Sequence, residues 1–177
     1  MKGPPAMVGH YTGRSGKLNA TRTRRGWSPR REGHTMSTLP AQARVTRRFD
    51  TSADRVFDAW LDVRRVRHWF GPGLGPVSCV DIDARVGGEF CIVQQRDGED
   101  VEHVGSYLEI ERPHRLAFTW RVPPSAESSR VSIDIAGLEG GSELTLLHDM
   151  PVSAAPLQER VEHGWRTMLD AMADELR

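Results

Sequence analysis

Between Val77 and His148 the chain runs through short apolar-polar alternations, and no connection between two of them is long enough to hold a crossover helix. Parallel neighbours need a crossover of about a dozen residues or more. Successive strands must therefore pair antiparallel. The alternation predicts strands over 77–83, 88–95, 102–111, 115–121, 129–136 and 142–148. Turns fall at Gly87-Gly88, Asp97-Gly98, Arg112-Pro113, Pro123-Pro124-Ser125 and Gly140-Gly141. Such a meander has one apolar face to cover. Leu157, Val161, Trp165, Met168, Met172 and Leu176 recur every three or four residues after it, with Glu159, Glu162, Arg166, Asp170 and Asp174 opposite. That is an amphipathic helix, with Pro156 tolerated in its first turn. The expected class is α+β: one antiparallel sheet covered by one long C-terminal helix.

Ahead of the meander, "RVTRRFD" (44–50) alternates as an edge strand. In "TSADRVFDAWL", Thr51 and Asp54 are spaced as a capping box, and Val56, Phe57, Trp60 and Leu61 form one helical stripe. Asp62 is placed to cap a second short helix through "VRRVRHWF", which Gly71-Pro72-Gly73 ends. Trp69 and Phe70 close that helix. One ring is expected to cap the core and the other to line a cavity entrance.

Residues 1–43 lack periodicity, are rich in Gly, Pro, Ser, Thr and Arg, and hold eight Lys or Arg against Glu32 alone. We read them as a disordered basic leader before a domain at 44–177, with Met36 suited to be a later start. No apolar h-region follows the positive charges, so the leader is not a secretory signal. The zero total charge leaves residues 44–177 at −7. An acidic domain is a poor nucleic-acid surface. With no run of about 18 apolar residues, no membrane span is expected. Cys79 and Cys91 fall in separate strands without CxxC spacing. They read as buried thiols of a reduced, cytoplasmic protein.

Period-two alternation also predicts the inner face of the sheet. Leu116, Phe118 and Trp120 share one side, as do Val131, Ile133 and Ile135, and Leu144, Leu146 and His148; Ser106, Leu108 and Ile110 oppose Tyr107 and Glu109. His148 then lies inside at a strand end, either bonded to a nearby carbonyl as a core histidine or serving as a ligand's polar anchor. Gly164, costing ~1 kcal/mol relative to alanine in mid-helix, is expected to mark close approach to the sheet or to a cavity. The candidate ligand-lining residues are Trp69, Phe70, Phe90, Phe118, Trp120, His148 and Trp165.

The histidines at 68, 103, 114, 148 and 163 fall on separate elements without HxH or HxxxH spacing, so no metal is expected. No GxSxG elbow is present, and Gly87-Gly88 lacks the context of a phosphate loop. No catalytic residue and no cofactor is assigned. Acid–base chemistry would need an inward group. His148 is that candidate, with Glu89 and Asp81 nearby.

These segments together are similar to a known group. "FDTSADRVFDAWLD" (49–62), "HWFGP" (68–72), "DIDARVGGEF" (81–90), "GSYLEIERPHRLAFTW" (105–120), "GGSELTLLH" (140–148) and "HGW" (163–165) occur in order. They resemble the START-like (SRPBCC) superfamily, and within it single-domain relatives of the activator of the ninety-kilodalton heat-shock protein's ATPase. The resemblance implies a helix-grip fold, a curved antiparallel sheet wrapped around the C-terminal helix with a cavity between. Relatives include lipid and sterol carriers, aromatic polyketide cyclases, enediyne-binding resistance proteins and chaperone cofactors. The leading expectation is a protein that binds an apolar or aromatic small molecule. The alternatives are a cyclase- or hydrolase-like enzyme using a cavity histidine, and a protein-binding regulatory module. The eukaryotic chaperone activators carry a further N-terminal domain, which a polar 43-residue leader is too short to replace. A chaperone partner is therefore not expected, and a homodimer is left open. Removing residues 1–35 is expected to leave the thermal melting temperature unchanged, because a leader of this composition makes few native contacts.

Overall fold

A computed structural model describes residues 41–177. The leader lies outside them except for its last three residues, which open the first strand. The elements are β1 (Ala41–Phe49), α1 (Ala53–Leu61), α2 (Val63–Trp69), β2 (Val77–Ile82), β3 (Glu89–Arg96), β4 (Glu99–Glu111), β5 (Arg115–Trp120), β6 (Ser129–Leu138) and β7 (Gly141–Met150). A 3₁₀ turn over Val152–Leu157 then leads into α3 (Gln158–Glu175). All strands pair antiparallel in one seven-stranded sheet ordered β1-β7-β6-β5-β4-β3-β2. The expected meander forms, and β1 closes on β7 as the expected edge. This is the helix-grip arrangement, with α3 covering the apolar face and α1 and α2 filling one end.

The inner face is built largely as alternation requires. Leu116, Phe118, Val131, Ile133, Ile135, Leu144 and Leu146 are buried beneath Trp165, Leu169 and Met172 of α3 and Leu176 at its C-cap. Trp165 Nε1 donates to His148 Nδ1 at 3.0 Å, a buried polar tie between helix and sheet. Beside α3, Arg65 of α2 reaches the Glu175 carboxylate at 3.3 Å.

Several local expectations are corrected. Ser52, not Thr51, caps α1 by accepting from the Arg55 amide; Thr51 is buried, and its carbonyl accepts from the Ser142 hydroxyl. Tyr107 faces the core and Leu108 faces solvent, because a register shift between Tyr107 and Glu109 inverts the pleat there. Leu157 is exposed in the 3₁₀ turn, whereas Leu169, absent from the expected stripe, is fully buried. Cys79 is exposed and Cys91 half-buried, so neither is a core thiol. Both point away from the face that α3 covers. Gly164 does not mark close approach to the sheet: a Cβ added there meets nothing within 4 Å, and the residue borders open space instead.

Replacing Trp165 by alanine should cost about 3–5 kcal/mol of stability, the range for deleting a large buried aromatic. Trp165→Phe keeps most of the packing but leaves His148 Nδ1 without its donor, and should cost about 1–3 kcal/mol. Urea denaturation measures both.

Candidate functional site

The site is organised where α2 runs into the loop at 71–75. Asp62 caps α2 by accepting from the Arg64 amide at 2.8 Å. The helix then turns Trp69 into the core, where its Nε1 donates to the Ala59 carbonyl at 3.0 Å. Phe70 follows at the C-cap, also buried. Gly71 takes φ +51°, and a Cβ on it would stand 2.5 Å from Gln94 Oε1. Glycine is required there on both counts.

Gln94 holds this loop down. It is 0% exposed, and its Nε2 donates to the carbonyls of Gly71 at 2.7 Å and Gly75 at 2.8 Å. Its Oε1 accepts from Arg96 Nε at 2.9 Å and Nη2 at 2.8 Å. A flipped amide would set an oxygen against two carbonyls, so the orientation is fixed by its neighbours. Arg96 Nη2 also reaches His103 Nε2 at 3.1 Å. A guanidinium only donates, so that nitrogen accepts and the His103 proton sits on Nδ1. Nδ1 is buried and has no hydrogen-bond partner. Around it stand the Phe70 ring, with centroids 5.0 Å apart, and the Trp120 ring, at 5.2 Å.

His148 has the opposite tautomer. Its Nδ1 accepts from Trp165, so Nε2 carries the proton and donates to Ser129 Oγ at 2.7 Å. The Ser129 hydroxyl passes the chain on to the Trp120 carbonyl at 3.0 Å. His148 is thus a core histidine satisfied by side chains, in place of the direct carbonyl bond that one of its two expected roles called for. Burial lowers its pKa to about 4, against a smaller upward pull from Asp149. Burial, assisted by the Arg96 charge, also lowers His103 to about 4. Both imidazoles are neutral at pH 7.

Six of the seven residues singled out in the sequence surround one interior space: Trp69, Phe70, Phe90, Phe118, Trp120 and Trp165. Their rings fill it. Trp60 lies 4.8 Å from Trp69 and 6.1 Å from Trp165 between ring centroids, and Phe90 lies 5.5 Å from Phe118. The remaining cavity is about 30 Å³, room for a water or two and no ligand. Open space lies instead outside this block, in a groove of about 390 Å³ between the 70–74 loop and α3. Phe70, Trp120 and Trp165 form the face shared by the two spaces, and His148, which does not border the interior one, opens onto the groove. Both Trp69 and Phe70 are therefore core residues, and only Phe70 also borders the groove. Asp81 and Glu89 lie elsewhere, in an outer cleft with Cys91. Sequence reasoning missed Gln94, Arg96 and His103. In a strand they read as ordinary polar residues, and the only signal was that Gln94 and His103 alternate in phase with the buried Ile92 and Tyr107.

A family profile described as Activator of Hsp90 ATPase homolog 1-like protein matches residues 50–177. The chain belongs to that family. No curated protein matches it significantly. Among solved structures, this member of the Activator of Hsp90 ATPase homolog 1-like family is similar to protein CV1439 from Chromobacterium violaceum. That similarity has 25% identity and a TM-score of 0.71, covering 78% of this chain and 98% of that one. It is also similar to the Mll3558 protein from Rhizobium loti at 27% identity and TM-score 0.65, again covering 78% and 98%. DynU16, a protein in the dynemicin biosynthetic locus, shares the fold at 22% identity and TM-score 0.63; the match covers 76% of this chain and 46% of DynU16. Among the described residues no helix is long and apolar enough to cross a membrane.

The two buried histidines make stability depend on pH. Unfolded, each titrates near 6.5; folded, each titrates at about 4. Between those values the unfolded chain binds protons that the folded chain refuses. Their contribution is complete above about pH 6.5 and is lost as pH falls toward 4. Urea denaturation between about pH 7 and pH 5 should show stability falling with a limiting slope of ~2.7 kcal/mol per pH unit, and His103→Gln should halve that slope.

Proposed function

We propose that the protein binds an apolar or aromatic small molecule in the open groove rather than in the ring-filled interior. The observation that carries this reading is the groove itself, about 390 Å³ with Phe70, Leu74, Trp120, Leu157, Trp165 and Met168 among its apolar lining. That size and lining suit a drug-sized ligand. Gly164 supports it, because the helix omits a side chain where nothing protein-made fills the space. The fold's use in a biosynthetic locus, as DynU16 is described, is in keeping with a small-molecule partner. Exposed Cys79 and half-buried Cys91, both free thiols, suit a reducing cytoplasm.

Retention is favoured over turnover. A general base working at neutral pH needs a pKa near 7. The two buried groove imidazoles, His103 and His148, lie at about 4, and both nitrogens of His148 are already engaged; the third groove histidine, His163, is exposed on α3 and outside this buried pair.

Gly164→Leu supplies the test. Its side chain would project into free space, so the fold should persist while the groove is occupied. The neutral aromatic probe N-phenyl-1-naphthylamine should bind wild type with a fluorescence rise, bind Gly164→Ala equally well, and fail to bind Gly164→Leu. Equal binding to all three would place the probe elsewhere and remove the groove from consideration. Gly164→Ala should also raise stability by ~0.5–1 kcal/mol, as glycine-to-alanine changes do inside helices.

A further inference from the structure

The groove carries a charge pattern that an apolar ligand alone would not require. Residues 44–177 hold a net −7, yet none of the residues lining the groove is Asp or Glu. Two arginines, Arg96 on β3 and Arg160 on α3, stand at it instead. Partial burial lowers the Arg96 pKa, and the nearby Arg160 charge lowers it further. Like charges placed together need an anion to offset them, and among the described residues no carboxylate pairs with either. Arg96 uses Nε and Nη2 on Gln94 and His103, so it is held in place with Nη1 still free to donate. The His103 ring, 5% exposed, borders the groove beside Arg96, with its Nδ1 buried and unpartnered.

We infer that the ligand is an amphipathic carboxylate, its apolar body lying on Phe70, Trp120 and Trp165 and its head group held by Arg96 and Arg160. This rests on the groove being the binding site and adds the chemical class of what it binds. The carboxylate offsets the paired guanidinium charges, and the free Nη1 donor of Arg96 gives it a charge-assisted bond. Arg160 is exposed and makes no hydrogen bond or ion pair to another described side chain, so its replacement probes the head-group site without disturbing the Gln94 clamp.

The experiment compares 1-pyrenebutyrate with its methyl ester, which has the same body without the charge. Fluorescence titration is done on wild type, Arg160→Gln, Arg160→Glu and Gly164→Leu. Wild type should prefer the acid by roughly 10-fold, the scale of one charge-assisted hydrogen bond. Arg160→Gln should remove most of that preference and Arg160→Glu should invert it, the acid losing far more affinity than the ester in each. Gly164→Leu should block both probes. Equal affinity of wild type for acid and ester, or an acid preference untouched by Arg160→Glu, overturns the anion inference while the apolar groove stands. Failure of both probes to bind wild type, or their undiminished binding to Gly164→Leu, overturns the groove reading and this inference with it.

Discussion

One buried hydrogen bond, from Trp165 Nε1 to His148 Nδ1, decides how the covering helix sits on its sheet. Apolar contact is non-directional and would let an amphipathic helix slide or roll by a residue. A buried indole N–H left without an acceptor costs about 1–3 kcal/mol, so this pair selects one position. Once it is made, Trp165 stands over Trp60 and Trp120. The neighbouring Gly164 then borders the groove. The same bond sets the His148 tautomer, which sends its other proton to Ser129 and through it to the Trp120 carbonyl.

A second clamp does for the mouth what Trp165 does for the helix. Gln94 uses both amide protons on the 71–75 loop and its oxygen on Arg96. A fully buried amide is tolerated because its donors and its acceptor are all engaged. The loop is thereby pinned against β3, holding Phe70 over the aromatic block and leaving space between loop and α3. The groove is thus bounded by fixed elements, and the proposed ligand would meet a preformed wall at a lower ordering cost.

The fold allows an interior cavity, and this sequence fills it. Trp60, Trp69, Phe90, Phe118, Trp120 and Trp165 approach one another at centroid separations of 4.8–6.3 Å, within the range of favourable ring pairs. Rings expected to line a ligand site become core, and only small parts of Phe70, Trp120 and Trp165 reach the groove. Family membership is compatible with either use of the fold; side-chain volume makes the choice.

What the sequence by itself determined is whatever depends on neighbours along the chain. Period-two runs and short turns dictated an antiparallel meander, the 3.6-residue stripe dictated one covering helix, and Phe118, Val131, Ile133, Leu144 and Leu146 were legible as core because alternation is local. Where local rules break, legibility ended: the pleat inverted at Tyr107 because of a bulge, and Ser52 rather than Thr51 met the first free amides of α1. Only the tertiary structure decided that Gln94, Arg96 and His103 form one network, since each is an unremarkable polar strand residue until the 71–75 loop is laid over it. It alone decided, too, that the interior is closed and the groove open. Free volume is a sum over residues distant in sequence, and no periodicity along a chain encodes how its rings will meet.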